Sequence, residues 1–344
     1  MRRFWLGLAA ASVVSACGGG NPFTTTTDDD TGTDTGSSSR EGLPPGTDNP
    51  SANAAIFRSE PTEADGGERG DGYATGISYD AGTDTFTVDN LGFDGDNTYS
   101  RGTAIASLGP YSVYEADTTF PDIIDGQLIN QFAHRAIYGV STSGNTEFAI
   151  VRTGDYVDYG FGGFIYQRHN GVSLPSSGQA VYTGSMAGIR DFDGAGGLEY
   201  STADAQIAID FDDFNDTTGT RGDAVRGVFN NRRIFDINGN DITSDVISRI
   251  ETQNSIDLNG ELPTLVFDVG PGALDDNGEL VGTLHSNYIN SSGAISTFEE
   301  GNYYAVMSGD NPDEIVGVMV VTTGLDPAAT TVRETGGFIV YNPD

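Results

Sequence analysis

Around Phe211 the chain alternates: Ala205, Ile207, Ile209 and Phe211 share one parity, and Asp204, Gln206 and Asp210 the other. Successive residues of a strand point to opposite faces, so this pattern dictates a strand with one apolar and one wet face. Upstream, Val181, Tyr182 and Thr183 suit a pleated surface, and Gly194, Gly196 and Gly197 supply backbone freedom between the two runs. Residues 175–211 therefore read as a hairpin. The same unit recurs to the C-terminus, with candidate strands at 180–191, 203–211, 224–230, 264–269, 279–287, 295–308, 314–322 and 333–341. Eight antiparallel strands left open expose two edges, whereas closure gives a barrel whose inward side chains fill it. The expected fold is all-β, with an eight-stranded antiparallel up-and-down β-barrel over 175–344.

Three short stretches carry a family resemblance. They are Pro175-x-x-Gly178-x-Ala180-x-Tyr182-x-Gly184, the run Thr202-Ala203-Asp204-Ala205 leading to Ile209-Asp210-Phe211, and Gly309-x-x-x-x-Glu314-x-x-Gly317 before Val318. Over 156–344 the chain resembles the β-barrel domain of the transferrin-binding protein B family of bacterial surface lipoproteins. It departs from the family pattern at Ser308, Asp310 and Pro312, where an aromatic residue, a Pro and an Ala are usual. The resemblance implies a smaller, β-rich handle-like domain at 52–174, packed on the barrel. It also implies binding of a protein or small-molecule ligand, iron- or haem-related in some members, with no catalysis and no cofactor.

Residues 1–17 read as a lipoprotein signal peptide. Arg2 and Arg3 make a positive n-region, 4–14 an apolar h-region too short to span a bilayer, and Val14-Ser15-Ala16-Cys17 a lipobox. Cys17 is the expected lipidation site, because only a thiol takes the diacylglycerol thioether that precedes cleavage. Gly18 stands where an Asp signals inner-membrane retention in enterobacteria, so the outer membrane of a Gram-negative cell is expected; the family resemblance adds display at the cell surface. Residues 18–51 are mostly Gly, Thr, Asp, Ser and Pro. Such a stretch cannot offset the entropy of ordering and reads as a disordered linker that includes Asp28, Asp29, Asp30 and Asp34. Within 52–174, alternation at 85–88 and 147–151 and aromatic–glycine spacing at 156–166 mark strands, and Ile123 to Ile129 with Phe132 suggests a short helical turn.

Fifty acidic residues face sixteen basic ones, all Arg, for a formal net charge of −34. Such a surface repels phosphate backbones and anionic headgroups, which disfavours nucleic acid and leaves the lipid on Cys17 as the membrane contact. Cys17 is the single Cys, so the folded part has no disulfide and rests on its core. His134, His169 and His285 lack the spacing of a zinc site, and no Gly-x-Ser-x-Gly is present. Asp212-Asp213 and Glu299-Glu300 are neighbours that a strand turns to opposite faces. The calcium-like runs at 191–196 and 236–241 miss ligand positions, and with 257–260 and 276–278 they read as turns. No catalytic, cofactor or metal residue is expected, and the chain is not expected to be an enzyme.

The connection 231–263 carries Ile242, Val246, Ile247 and Ile250 at the spacing of a short amphipathic helix, which either plugs a barrel end or forms a ligand loop. Arg232, Arg233 and Arg249 within it are set to pair with a partner's carboxylates or with Asp236, Asp241 and Asp245 nearby. The expected function is ligand binding by a surface lipoprotein through one barrel end and the handle-like segment. The alternative is a structural or adhesive envelope lipoprotein, which calls for repeats or ordered calcium.

Overall fold

The computed structural model describes residues 42–89, 91, 98–116, 121, 123–127, 133–154, 159–212, 214–215, 220–221, 225–269 and 273–343. Cys17, the Asp-rich run and the linker up to 41 lie outside the described residues, as do Ile129 and Phe132. The described start of the expected helical turn, Ile123 and Ile124, is exposed turn. Leu43–Asp344 forms one compact unit.

Two sheets build that unit. The first contains β1 (Ile56–Ser59), β2 (Gly76–Asp80), β3 (Thr85–Asp89), β4 (Thr98–Arg101), β5 (Ser107–Leu108), β6 (Tyr111–Glu115), β7 (His134–Val140), β8 (Thr146–Thr153) and β9 (Gly162–Arg168). Its order is β1-β9-β8-β7-β6-β4-β3-β2, with β5 on β6, and every pairing is antiparallel. The expected strands at 85–88, 147–151 and the end of 156–166 are β3, β8 and β9.

The second is the closed antiparallel barrel. After β10 (Gln179–Phe192) and β11 (Leu198–Asp210) a small side hairpin, β12 (Phe214–Asn215) and β13 (Thr220–Arg221), intervenes. Then come β14 (Val225–Phe235), helix α1 (Thr243–Asn254), β15 (Leu265–Phe267), β16 (Glu279–Ile289), β17 (Ile295–Ser308), β18 (Glu314–Thr323) and β19 (Val332–Tyr341). The circuit β10-β11-β14-β15-β16-β17-β18-β19 closes by pairing β19 with β10. All eight strands expected in this half are present, in an up-and-down order. Inward residues, among them Tyr182, Ile207, Ile209, Phe229, Tyr303 and Phe338, form one buried cluster that fills the lumen. Phe267 stacks on Tyr303 at 4.0 Å, and a Cβ on Gly227 would lie 2.7 Å from the Phe267 ring, so a glycine makes room for that stack.

The first sheet is buried on two sides. One face holds its own core of Phe86, Val88, Tyr99, Tyr114, Tyr138, Ala149, Val151 and Ile165. The other lies on the outside of the barrel wall, where Phe164 stacks on Tyr304 at 6.2 Å. Tyr111 donates its hydroxyl to the Ser185 carbonyl at 2.6 Å and accepts the Ile339 amide at 2.8 Å. Arg168 crosses the same junction with its guanidinium donating to the carbonyls of Ser51, Ala54, Asn277 and Met307. Burial lowers its pKa to about 10, even though Glu279 and Asp275 favour the charge. Carbonyl dipoles satisfy its donors without a directly bonded counter-charge, and they tie three separate chain segments together.

Candidate functional site: the loop-bearing end of the barrel

Antiparallel order brings the C-terminal ends of β10, β14, β16 and β18 to one barrel end. The connections there are a tight turn at 193–197, the α1 segment at 236–264, a hairpin tip at 290–294 and a loop at 324–331. The α1 segment is the expected amphipathic helix. Thr243 bonds Asp241 through both its amide (2.9 Å) and its hydroxyl (2.6 Å), and Asp245 in the first turn suits the helix dipole. Ser255, at φ 54, ends the helix with its amide on the Glu251 carbonyl. The apolar face, Val246, Ile247 and Ile250, packs with Ile234, Leu258 and Phe298 over the barrel end.

Beside it the β16–β17 hairpin presents Ile289 and Ile295 directly opposite each other, 53% and 73% exposed. Its tip is held by Asn290, whose Oδ1 accepts the amides of Ser292 (3.0 Å) and Ala294 (3.1 Å) and whose Nδ2 donates to Ser296 at 2.8 Å. Ile256, Leu258 and Leu262 share a cluster with Tyr288 and Phe298, which places the exposed acids Asp257 and Glu261 alongside this hairpin. This end of the barrel thus presents an exposed apolar pair beside acidic residues.

Beneath α1 the lumen changes from apolar to charged. Arg232 donates to Glu299 (2.5 and 3.0 Å), to Glu334 (2.8 Å) and to the Pro263 carbonyl (3.0 Å). Arg190 pairs with Glu199 and, at 2.8 Å, with Asp326. Arg249 reaches down from α1 to the same two acids, at 2.7 Å from Asp326 and 2.9 Å from Glu199. Burial opposes charge on Asp326, but bonds from Arg249 and Arg190 outweigh it and hold its carboxyl below the usual range. The network locks α1 onto the barrel and closes the lumen at this end.

Of the three arginines singled out in the sequence, Arg232 and Arg249 are therefore committed inside the protein. Arg233 is exposed, paired with Asp241 as its sequence neighbourhood suggested, and lies over the Phe235 ring at 5.6 Å. Glu299 faces the lumen and Glu300 the solvent, as alternation required. Asp236 accepts the amides of Asn238 and Asn240 at 2.9 Å, a turn as read. Asp191 is instead the buried end of β10, bonded to Arg333. His134 is buried against Tyr99, His169 bonds Glu147 at 2.9 Å and His285 bonds Asp268 at 2.6 Å. Among the described residues no group of three or more His, Cys, Asp or Glu is placed to hold a metal ion, and no helix is long and apolar enough to cross a membrane. Arg190, Glu199, Asp326 and Glu334 escaped the sequence reading. For Arg190 and Glu334 the signal was there: they share parity with Met186 and with Phe338, both lumen residues.

No protein-family model matches the chain, and no curated protein matches it in sequence. Among solved structures it is similar to a mutant of Transferrin Binding Protein B (TbpB) from Haemophilus parasuis Hp5, with 11% identity and a TM-score of 0.39 over 84% of this chain and 45% of that one. Intact Ap-TbpB, with its N and C lobes, gives 11% identity and 0.35 over 75% and 41%. A structure described as a surface lipoprotein gives 14% and 0.28 over 59% and 79%. The chain spans less than half the length of the two TbpB structures. The solved structures to which this all-β chain is similar thus include TbpB and a surface lipoprotein.

Proposed function

We propose that the mature chain is a lipid-anchored lipoprotein of the outer membrane, displayed at the cell surface, that binds a ligand with the loops at the α1 end of its barrel and does no catalysis. The observation that carries this reading is a filled lumen closed by α1, which leaves the outer surface of the loops as the place to meet a partner. The lipobox supplies the anchor, and the Gly-, Thr-, Asp- and Ser-rich stretch after it, up to the compact unit that begins at Leu43, the tether between lipid and fold. The last residues of the expected 18–51 linker, Leu43 to Ser51, belong to that unit. A protein ligand suits a convex tip such as Ile289 and Ile295 better than a small molecule does, since small molecules favour concave sites.

Cells grown with radioactive palmitate should label the wild-type chain and leave Cys17→Ser unlabelled and released from the membrane fraction. Continued labelling of the variant would remove the anchor from the reading. Proteins captured from growth medium by the wild-type chain should be lost with Ile289→Ser/Ile295→Ser. Both side chains are exposed, so the melt should stay within about 0.5 kcal/mol of wild type. Unchanged capture would move the site off this hairpin.

A further inference from the structure

The junction between the two sheets holds a second buried charged cluster, and its charges do not balance. Glu60, just after β1, takes two nitrogens of Arg152 on β8, at 3.0 and 2.5 Å, and also accepts the Gly72 amide at 3.0 Å. Asp191 on β10 takes two nitrogens of Arg333 on β19, at 3.2 and 2.6 Å. Each guanidinium is thereby committed to one carboxylate in two-point fashion. Asp71 is the third carboxylate, and it receives only Nη1 of Arg333 at 2.7 Å and Nη1 of Arg152 at 3.4 Å. Among the described residues, the other charged and titratable groups facing this site are Glu68, 3.7 Å from Arg333, Tyr159, whose ring lies 4.4 Å under the Arg333 guanidinium, and Tyr304, whose phenol is pushed up by burial and by the charge of Glu60. Arg152 also donates to Thr335 at 3.1 Å. All five principal residues are buried.

We infer that this junction is a pH-responsive clamp in which Asp71 holds a proton under mildly acidic conditions and gives it up near neutrality, setting a third buried negative charge against two positive ones. The donor tally picks out Asp71, since Glu60 and Asp191 each hold a two-point guanidinium contact and Asp71 has none. Burial, with the negative charge of Glu60 adding to it, pushes the Asp71 carboxyl up from 3.8 to about 6, against the pull of Arg333 and Arg152. In the unfolded chain the same carboxyl titrates near 3.8. The folded state therefore binds the proton more tightly, so the stabilisation is fully present below about pH 4 and is lost as pH rises through about 6. A shift of about two units corresponds to about a 100-fold change in the unfolding equilibrium.

The test is urea unfolding of the full chain and of Asp71→Asn, each from pH 4 to pH 7.5. An Asn keeps an oxygen for Arg333 and cannot ionise. The unfolding constant of wild type relative to the variant should rise about 100-fold across this range; parallel profiles would overturn the proposal. Carboxyl carbon NMR of the wild-type chain decides independently of whether the variant folds. A titration midpoint for Asp71 near 6 sustains the clamp, and a midpoint at or below 4 sinks it.

Discussion

Arg232→Met should destabilise the protein by about 3–5 kcal/mol, read as a lowered urea midpoint with an unchanged slope. Met fills much of the volume of the arginine stem, so the loss comes from the carboxylates of Glu299 and Glu334, which would stay buried without the guanidinium that bonds both. Ser286 still donates to Glu299 at 3.0 Å and Ser201 to Glu334 at 2.8 Å, but a hydroxyl does not neutralise a carboxylate, and Arg190, 4.0 Å from Glu334, is already bonded to Glu199 and Asp326. Removing the acids as well, in Arg232→Met/Glu299→Leu/Glu334→Leu, should recover most of the loss, because a packed apolar trio has no desolvation cost to offset. A triple variant as unstable as the single one would mean that Arg232 acts through packing and not through charge.

Gly337→Ala is the second large effect expected, and it acts between the two sheets. A Cβ at this position on β19 would lie 2.1 Å from the Phe148 ring of β8, far inside van der Waals contact. The ring cannot swing away: a Cβ on Gly139 would be only 2.4 Å from it on β7, and Tyr111 meets it edge-on at 4.9 Å. The first sheet must lift from the barrel, at a cost of about 1–3 kcal/mol or more. Phe148→Ala alone should cost about 3–5 kcal/mol through the cavity it leaves. In Gly337→Ala/Phe148→Ala the new methyl enters that cavity, so the double variant should melt above the sum of the two single losses. Additive losses in thermal melts would show that the two positions do not share this contact.

The strands of the barrel were legible because each runs long enough for alternation to show. β17, for example, coincides with the expected 295–308, and the apolar spacing of Ile242, Val246, Ile247 and Ile250 marked α1. The first sheet was legible only at β3, β8 and β9. Length does not separate these from the others, since β3 is five residues long like β2 and β6. But β3 alternates buried and half-buried positions, whereas β2 does not and β7 is buried at four consecutive residues, so β2 and β7 carry no period-two signal and are ordered by pairing with neighbours. The helix of the α1 connection was legible at one barrel end, but of the three arginines expected to pair with a partner's carboxylates or with neighbouring acids, Arg232 and Arg249 turn inward to distant acids of this chain.

Arg232 shows why. Counting by twos from the inward Val225 and Phe229 puts Asn231 inside and Arg232 outside. The β11–β14 register shifts between Thr202 and Asp204, and Asn231 takes up the extra residue at φ 51. That bulge inverts the parity and sends Arg232 into the lumen. Alternation is a property of the local backbone, so it is written in each stretch of sequence: strand positions, their apolar faces and the helix are local facts. Which acid meets which arginine depends on register, closure and the approach of chain 67 residues away in the case of Glu299, or 92 for Glu60 and Arg152. Those pairings exist only once the barrel has closed and the first sheet has settled on its wall, because no local pattern encodes a partner that distance along the chain leaves free.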